Sequence, residues 1–462
     1  MGRSRQKKQQ WLSFMHEDRG EAPVASNEGS ECPLAGTRPE NPARLERVME
    51  KVCSHGNLVT ALKRVQQNKG GPGIDGMSVT GLQVFLNKQW PTIEEQLLTG
   101  KFKPSPVKRV EIPKPGGGVR KLGIPTVLDR FIQQAVLQVL QSAWDWTFSD
   151  NSFGFRPGRS AKDAVVLAQE YIAEGYDWVV DMDLEKFFDR VNHDILMSKV
   201  EKRVADKRLL RLIRAFLNAG VMESGLVGPT DEGTPQGGPL SPLLSNLMLD
   251  ELDKTLEQRG HRFVRYADDC NIYVRSERAG RRILANLTVL LRRRLKLTVN
   301  ESKSAVARPG DRKFLGISFY MKGSVPKRCI APQALIRFKK RVRELTPRRI
   351  GGALQTIVDN LSQYLQGWRG YFEFAETPWT LASLDKWVRR RLRALIWFRW
   401  KTTKNRLKEL LKRGVKPEWA KKTAGSSKGV WHLSACQPVQ AALNNAYFAH
   451  VLRLVQLASR KR

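Results

Sequence analysis

The stretch Phe263-Val-Arg-Tyr-Ala-Asp-Asp-Cys-Asn-Ile-Tyr-Val274 decides the fold more than any other part of the 462-residue sequence. Apolar and β-branched residues occupy both ends, and the adjacent acids Asp268 and Asp269 stand between them. This pattern predicts a strand, a tight turn and a second strand, with the acids at the turn. Adjacent aspartates are also ordinary turn residues, so the hairpin alone leaves a structural and a catalytic role open.

A second pair of acids lies in the apolar segment Trp178-Val-Val-Asp-Met-Asp-Leu184, which reads as a buried strand. Asp181 and Asp183 are two residues apart, so both face the same side of a sheet. Because an unpaired buried charge is costly, such a carboxylate needs a partner or a ligand. Carboxylates converging from two segments form an oxygen-rich site suited to Mg²⁺ and substrate phosphates. Two such ions are a standard device for in-line phosphoryl transfer.

Composition restricts the class of protein. The chain has 80 Lys and Arg against 45 Asp and Glu, a formal net charge of +35. This excess argues against an enzyme of small neutral substrates and favours a polyanionic partner, most simply nucleic acid. Five scattered cysteines without a CxxC pair exclude a disulfide scaffold and Cys-rich zinc modules. No segment reads as a secretion signal or membrane span, so we expect a cytoplasmic, nucleoid-associated bacterial protein.

Six blocks resemble, in order, those of reverse transcriptases. They are Ile112-Pro-Lys-Pro-Gly-Gly-Gly-Val-Arg120, Phe153-Gly-Phe-Arg-Pro-Gly-Arg159, Val180-Asp-Met-Asp-Leu-Glu-Lys-Phe-Phe-Asp189, Gly233-Thr-Pro-Gln-Gly-Gly-Pro-Leu-Ser-Pro242, the stretch around Asp268, and Lys313-Phe-Leu-Gly-Ile317. Leu365-Gln-Gly-Trp-Arg-Gly-Tyr-Phe372, with the Trp- and Arg-rich stretch after it, resembles the maturase domain of group II intron-encoded reverse transcriptases. The resemblance is greatest to their compact branch, which lacks the HNH endonuclease.

The resemblance implies an α+β right-handed polymerase of fingers and palm, followed by an all-helical thumb or maturase domain. We expect a flexible N-terminal extension over 1–40, fingers over 41–177, palm over 178–330 with part of 195–240 returning to the fingers, thumb over 331–415, and a helical DNA- or RNA-binding segment over 416–462. Local patterns add a hairpin over 103–125, an N-cap at Asn57, and helices over 127–143, 334–346, 353–372, 381–413 and 438–458.

For the catalytic site, the resemblance implies that Asp183 and Asp268 are the principal ligands of two Mg²⁺ ions, with Mn²⁺ as a substitute. Asp269 is then a supporting carboxylate, and the backbone carbonyl of Leu184 is an additional ligand. Lys303 is the candidate that protonates or neutralises the leaving pyrophosphate. The alternative for Lys303 is an ordinary solvated lysine.

For the nucleotide pocket, the resemblance implies that Lys114 and Arg120 hold the incoming triphosphate, Arg as a bidentate fork and Lys as a point charge. Phe188 stands five residues after Asp183, where the family places an aromatic gate that selects deoxynucleotides. Gln236 lines the pocket between glycines that permit close backbone approach. The alternatives are an exposed basic hairpin for the two cations and core packing for Phe188.

The stretch Lys386–Arg413 carries twelve basic residues and one acid, Glu409. Like charges on one helix repel, so this run favours a polyanion alongside, although a solvated face is the alternative. A second basic helix, Arg337–Arg343, would extend the same surface. The following residues are predicted to point away from the apolar stripe and contact phosphates: Arg389, Arg390, Arg393, Lys401 and Lys404.

Taken together, these features predict a reverse transcriptase that uses dNTPs to extend a DNA or RNA primer on an RNA template. It would also bind structured intron RNA as a maturase that supports splicing and retromobility. Two alternatives remain: a host-adopted reverse transcriptase of DNA repair or defence, and a maturase that only binds RNA. His193 shows no metal-ligand spacing, and Cys270 is expected to be a small buried residue.

Overall fold

The computed structural model describes residues 44–113, 118–223, 226–228, 232–234, 237–347 and 352–458. The expected N-terminal extension, Lys114 and Gln236 lie outside the described residues, and Arg120 is described only in its backbone. The chain divides into two compact units. The first comprises the described residues up to Ala164 together with Trp178–Val306, and the second comprises Val165–Asp177 and the described residues from Ala307 onward.

The described part of the chain is a mixture of strands and helices, as predicted. The strands are β1 Val107–Pro113, β2 Val119–Ile124, β3 Trp178–Met182, β4 Val221–Glu223, β5 Leu226–Gly228, β6 Arg262–Tyr266, β7 Asp269–Val274, β8 Ala305–Ala307, β9 Ile317–Lys322 and β10 Val325–Ile330. The α-helices that precede β8 in the sequence are α1 Val48–Val52, α2 His55–Gln67, α3 Leu82–Leu98, α4 Val127–Trp144, α5 Ala161–Ala173, α6 His193–Glu201, α7 Lys207–Leu217, α8 Ser241–Gln258 and α9 Glu277–Leu290.

After β10 the described chain is helical. Its α-helices are α10 Pro332–Leu345, α11 Leu354–Phe372, α12 Pro378–Arg399, α13 Thr403–Lys412, α14 Pro417–Ala424, α15 Val430–Leu433 and α16 Gln437–Ala442. Short 3₁₀ turns lie at Asp145–Thr147 and Phe187–Asp189, and π-helical turns at Leu291–Leu295 and Tyr447–Val451. An α+β first part followed by a helical part is the predicted fold class, which is confirmed.

The central sheet of the first unit has the strand order β6-β7-β3-β8. The predicted hairpin forms as β6 and β7, which pair antiparallel from Arg262 opposite Tyr273 to Tyr266 opposite Asp269. Strand β3 pairs antiparallel with β7 and ends with Met182 opposite Cys270. The turn of the hairpin and the end of β3 therefore lie at the same edge of the sheet.

Apolar residues pack this sheet against helices. Val180, Phe263 and Ile272 are buried in one core with the leucines of α8 and α9. Gly280 permits α9 to lie against the sheet, because a Cβ there would stand 2.6 Å from a methyl of Val306. Such close packing has no space for an added methyl group, so the sheet and its helices form a rigid platform for the edge that carries the acids.

The predicted hairpin over 103–125 is β1 and β2, and β1 also pairs in parallel with β4. Its sheet has the order β2-β1-β4-β5. Helix α4 follows the hairpin close to the predicted range and begins at a capping arrangement. The hydroxyl of Thr126 accepts from the backbone N–H of Asp129 at 3.1 Å and donates to its carboxylate at 2.7 Å.

In the second unit, aromatic rings and the half-buried carboxylate of Glu376 join the helices to one another and to the β9–β10 hairpin. Phe338 of α10 packs against Trp368 of α11 with ring centroids 4.6 Å apart. Glu376 accepts from Lys327, from the backbone of Arg328 and from Gln169. These hydrogen bonds and ion pairs hold the pKa of Glu376 at about 2, although burial acts in the opposite direction.

Three local predictions are wrong. The predicted helix 381–413 is two helices, because the chain breaks at Trp400–Thr402, where Lys401 has a φ of +48°. The predicted helix 438–458 is only the short α16 and a π-helical turn. Asn57 lies inside α2, whose N-cap is Ser54, and the Asn57 amide donates to the carbonyls of Val52 and Ala135 instead. Over the ranges described above, none of the helices has both the length and the apolar content to cross a bilayer.

Candidate active site

The acids Asp268 and Asp269 lie where β6 turns into β7. The turn has two loop residues, Ala267 and Asp268, and Asp269 is the first residue of β7. Ala267 has a φ of +57°, which two-residue hairpin loops demand and which costs energy for any residue other than glycine. We call Ala267–Asp269 the catalytic turn, after the role that the sequence resemblance implies for its acids. Asp268 is partly exposed and Asp269 exposed, so both carboxylates are accessible to a ligand.

Asp183 follows directly on β3, at the same edge of the sheet as the catalytic turn. A distant segment fixes its backbone on both sides: its N–H donates to the hydroxyl of Ser304 at 3.0 Å, and its carbonyl accepts from the N–H of Asn300 at 2.8 Å. The Asp183 carboxylate is therefore held in place by residues more than a hundred positions later in the chain. Sequence analysis missed Ser304 and Asn300.

Lys303, the candidate for the leaving pyrophosphate, lies beside Asp183. Its Nζ is 3.3 Å from Oδ2 of Asp183, and its side chain is 65% exposed. Among the described residues, no group donates a well-formed hydrogen bond to this buried Oδ2. A buried carboxylate oxygen whose close neighbour is a mobile ammonium group is well suited to accept a cation.

The fit to a divalent cation can be judged from the donors. Within the described ranges, no three His, Cys, Asp or Glu side chains are already gathered into a metal-binding cluster. The donors at this edge are carboxylates from two segments, together with the carbonyl of Leu184. Leu184 and Val299 form an isolated antiparallel β-bridge whose hydrogen bonds are made by the residues on either side of each. The bridge therefore does not use the carbonyl oxygen of Leu184. All these donors are oxygens, which is the ligand set that Mg²⁺ prefers.

Phe188 lies in the short 3₁₀ turn that follows Leu184. Its neighbour Phe187 is buried in the core and contacts it edge to face, with ring centroids 5.2 Å apart. Phe188 itself is only partly buried, at the margin of that core. The core-packing alternative therefore describes Phe187 better than Phe188.

The glycine-rich block packs against this same turn. The N–H of Thr234 donates to the carbonyl of Phe188 at 2.7 Å, and a Cβ on Gly233 would stand 2.9 Å from that carbonyl. Gly237 approaches the backbone of Gly123, whose carbonyl oxygen would lie 2.6 Å from an added Cβ. The close backbone approach that Gly237 permits is thus to Gly123, in another segment of the same chain. The buried ring of His193 lies within hydrogen-bonding distance, 2.6 Å, of the carbonyl of Gly233, so His193 has a structural role here.

Two other residues lie near these acids, Cys270 and Asp181. Cys270 is buried, and burial raises the pKa of its thiol far above the usual range, as expected for a small core residue. Asp181 lies inside β3 opposite Asn271, one pair away from the end of the strand. Arg120 is the β2 residue opposite Ile112. The side chains of Lys114, Arg120 and Gln236 are outside the description.

Sequence analysis also missed a buried ion pair behind the catalytic turn. Arg265 and Asp253 have no exposed side-chain surface, and the guanidinium meets the carboxylate through two bonds of 2.7 and 2.5 Å. Burial alone would lower the pKa of Arg265, but contact with Asp253 raises it, so the guanidinium remains charged. A signal existed, because an arginine inside an apolar strand needs a buried partner just as Asp183 does.

The segment around Gly154 is tied to the same turn. A Cβ on Gly154 would stand 2.3 Å from the backbone nitrogen of Ala267. The N–H of Phe153 donates to the carbonyl of Arg265, and Asn246 of α8 donates to the carbonyl of Gly154. The block Phe153–Arg159 therefore forms a rigid surface, which we call the wall at Gly154, and the catalytic turn packs against it.

The predicted phosphate-contacting residues divide into two groups. Lys401 and Lys404 are exposed, and Arg389 is partly exposed. Arg393 is only 8% exposed and its Nε donates to the carbonyl of Leu443, so the prediction that it points to solvent is wrong. Arg390 stacks on Trp431, with the guanidinium 4.3 Å from the ring centroid, and donates to its carbonyl. Of the aromatic residues in this stretch, Trp397 and Trp400 are buried, Trp387 is partly buried and Phe398 is exposed.

Comparison with known proteins agrees with the geometry. Residues 112–319 match the family described as reverse transcriptase (RNA-dependent DNA polymerase). Residues 335–414 match the group II intron, maturase-specific domain. The first range contains Asp183 and the catalytic turn, and the second contains most of α10 and all of α11, α12 and α13.

Three relatives illustrate the similarity. Protein YkfC of Escherichia coli is 37% identical over 47% of this chain and 58% of its own length. Group II intron-encoded protein LtrA of Lactococcus lactis is 36% identical over 44% of this chain and 34% of its own. The putative COX1/OXI3 intron 2 protein of Saccharomyces cerevisiae is 32% identical over 46% of this chain and 25% of its own. The chain thus spans less than two thirds of each. The chain is thus similar to a reverse transcriptase over residues 112–319 and to a group II intron maturase-specific domain over residues 335–414, and its relatives include group II intron-encoded proteins.

Proposed function

We propose that the chain is an RNA-directed DNA polymerase that extends a DNA or RNA primer on an RNA template with dNTPs. The observation that carries this proposal is the placement of Asp183 at the end of β3, beside the turn that presents Asp268 and Asp269. A sheet edge with three carboxylates in so basic a chain suits phosphoryl transfer on a polyanion. The match to the reverse transcriptase family supports the same reaction.

In this proposal Asp183 and Asp268 hold two Mg²⁺ ions, which Mn²⁺ can replace, with Asp269 in support and the Leu184 carbonyl as a further ligand. When bound, such ions lower the pKa of the primer 3′-hydroxyl and neutralise charge that develops on pyrophosphate. Lys303 neutralises the buried oxygen of Asp183 before substrate binds. Its exposed, flexible side chain then turns to the departing pyrophosphate.

We assign substrate selection to the partly buried ring of Phe188, which excludes a 2′-hydroxyl from the site. Its carbonyl is fixed by Thr234, so the ring belongs to a constrained turn and presents a defined surface to the sugar. Lys114 and Arg120 contribute positive charge to the triphosphate, and Gln236 lines the pocket. These three assignments rest on the resemblance of their blocks to the family.

We further propose that the second unit binds structured intron RNA, which supports splicing and retromobility. The exposed residues Arg389, Lys401 and Lys404 provide contacts to phosphates, as do cations of α10. The buried Arg393 and the stacked Arg390 instead stabilise the helices that present them. The match to the maturase-specific domain supports this role.

The experiment is primer extension by the purified chain on an RNA template, with Mg²⁺ or Mn²⁺, each dNTP omitted in turn. Full-length cDNA that requires all four dNTPs and is abolished by chelation is the expected result. Binding of the template–primer without any dNTP incorporation at either metal would contradict the polymerase assignment. That outcome would favour a maturase that only binds RNA.

A further inference from the structure

We infer that Arg265 is a positioning residue for Asp268: its buried guanidinium fixes the peptide group that joins Ala267 to Asp268. The inference rests on the proposed function, since it adds a residue to the same site. Arg265 lies in β6, three residues before Asp268, and points away from solvent into the first unit.

All five N–H donors of this guanidinium are used. Two bind the carboxylate of Asp253, as described above. One Nη1 hydrogen is directed at Oδ1 of Asn246 at 3.1 Å, and the other at the carbonyl of Ala267 at 2.8 Å. The remaining Nη2 hydrogen bonds the hydroxyl of Ser152 at 2.7 Å. Because an arginine has five such donors in a rigid fork, the group cannot rotate without breaking a buried hydrogen bond.

The bond to Ala267 is the contact through which this network reaches the active site. Ala267 has a left-handed backbone conformation, which a residue with a Cβ adopts only under constraint from its surroundings. Arg265 supplies that constraint at the carbonyl, and the wall at Gly154 supplies it at the amide. Together they set the direction in which the next residue, Asp268, projects.

Stability alone does not account for the ion pair. A buried pair is often replaced by apolar residues without loss of stability, because burial of two charges offsets most of their attraction. The Arg265 network also joins three segments that are far apart in the chain: α8, the strand β6 and the loop at Ser152. The position of the catalytic turn therefore depends on α8 and on this loop, in addition to the hairpin itself.

The test compares two double variants that each replace a buried ion pair with apolar residues. The test variant is Arg265→Met with Asp253→Leu. The matched control is Arg203→Met with Asp250→Leu, which removes a buried 2.8 Å pair between Arg203 and Asp250 of the same helix α8. Asp250 acts on Arg265 through its charge, and in the described part of the chain no hydrogen bond shown here joins this pair to the catalytic turn. We expect kcat of primer extension, normalised to the fraction that binds template–primer, to fall about 100-fold in the test variant only, with KM for template–primer unchanged.

A second readout does not depend on activity. Mn²⁺ affinity of the template–primer complex is measured by electron paramagnetic resonance titration in the absence of dNTPs. We expect the test variant to bind Mn²⁺ about tenfold or more weakly, and the control to match wild type. Equal Mn²⁺ affinity and equal normalised kcat in the two double variants would overturn the inference, because a purely structural pair changes neither in folded protein.

Asp268→Asn in the same assays distinguishes a failure of the proposed function from a failure of the inference about Arg265. If Asp268→Asn changes neither extension nor Mn²⁺ affinity, the proposed function fails. If Asp268→Asn loses both while the test variant behaves as the control, only the role of Arg265 is wrong.

Should the test variant not fold, Ser152→Ala removes one acceptor from the guanidinium and Ser149→Ala is its control. Ser149 lies in the same loop and accepts no hydrogen bond from Arg265, its hydroxyl donating to Glu257 at 2.6 Å. We expect Ser152→Ala to lower normalised kcat by about three- to tenfold relative to Ser149→Ala. Equal values for the two serine variants would overturn the inference.

Discussion

Replacement of Asp129 by Asn should stabilise the protein at neutral pH. Asp129 is buried at the start of α4, where its carboxylate accepts from the hydroxyl of Thr126 at 2.7 Å and from the N–H of Ser105 at 3.2 Å. Burial raises its pKa from 3.8 to about 6, and these hydrogen bonds only partly oppose the shift. The fold therefore prefers the protonated carboxyl, and ionisation at neutral pH has a cost in stability.

The sign and size of this change in stability follow from the linkage between protonation of Asp129 and folding. Because the folded pKa is raised, the stability contributed by the protonated form is complete below pH 3.8 and is lost as pH rises through about 6. A shift of about two units corresponds to roughly 3 kcal/mol, at about 1.4 kcal/mol per unit. Asparagine is neutral at every pH and retains an acceptor for both donors. The advantage of Asp129→Asn over wild type should therefore grow by up to about 3 kcal/mol between pH 4 and pH 7.5.

The assay is urea unfolding of both proteins across this pH range. Asp163→Asn is the control, because Asp163 caps α5 through Ser160 in the same manner but is exposed. Replacement of Asp163 should reduce the free energy of unfolding by at most about 1 kcal/mol at neutral pH. A variant Asp129→Asn that is less stable than wild type at pH 7.5 would refute the reasoning, since it would show that the ionised carboxylate stabilises the fold.

Three further predictions concern the site and the RNA surface. Phe188→Ala should raise ribonucleotide incorporation relative to deoxynucleotide incorporation, measured as the ratio of kcat/KM values, because a 2′-hydroxyl then fits the site. Gly154→Ala should lower extension about 100-fold with template–primer affinity unchanged, because its methyl group displaces the catalytic turn. Changing the exposed Lys401, Lys404 and Lys408 to Gln should flatten the slope of log affinity against log salt for intron RNA by about 2–3 units.

Each of these predictions has a contradicting result, and the last two have a control variant. An unchanged nucleotide ratio would assign Phe188 to core packing. Gly56→Ala, where a methyl group meets no atom within 4 Å, should leave extension unchanged, and equal activity of the two alanine variants would exclude the wall at Gly154. Arg393→Gln should lower stability and leave the salt slope unchanged, because its guanidinium is buried. A slope that stays the same in the triple lysine variant would mean that these lysines form a solvated face.

Patterns that are local in sequence predicted most of the fold. The apolar run with Asp268 and Asp269 in its middle forms a hairpin, and the run that ends at Asp183 forms the strand beside it. Both depend on residues within a few positions of one another. Features that depend on distant residues were missed, as with Ser304, which clamps the backbone of Asp183 from 121 positions away.

The errors in the helical part have a physical cause as well. The stretch Lys386–Arg413 contains one basic run, but Thr402 caps a new helix by accepting from the N–H of Asn405, and the run is divided there. Arg393 lies on a helix that neighbours contact on more than one side, so a single apolar stripe does not identify all of its buried residues. A threonine three residues before an asparagine, at the end of a long helical pattern, was the available signal for the break.

The most direct test of the central claim is primer extension by three single variants that each remove one negative charge. Asp183→Asn and Asp268→Asn should each reduce extension by at least about 1,000-fold, or roughly 4 kcal/mol in barrier stabilisation. Asp181→Asn, two residues before Asp183 and within β3, should remain within about threefold of wild type, and all three should bind template–primer as tightly as wild type. Extension within about tenfold of wild type by either Asp183→Asn or Asp268→Asn would contradict the assignment of this sheet edge as the catalytic centre.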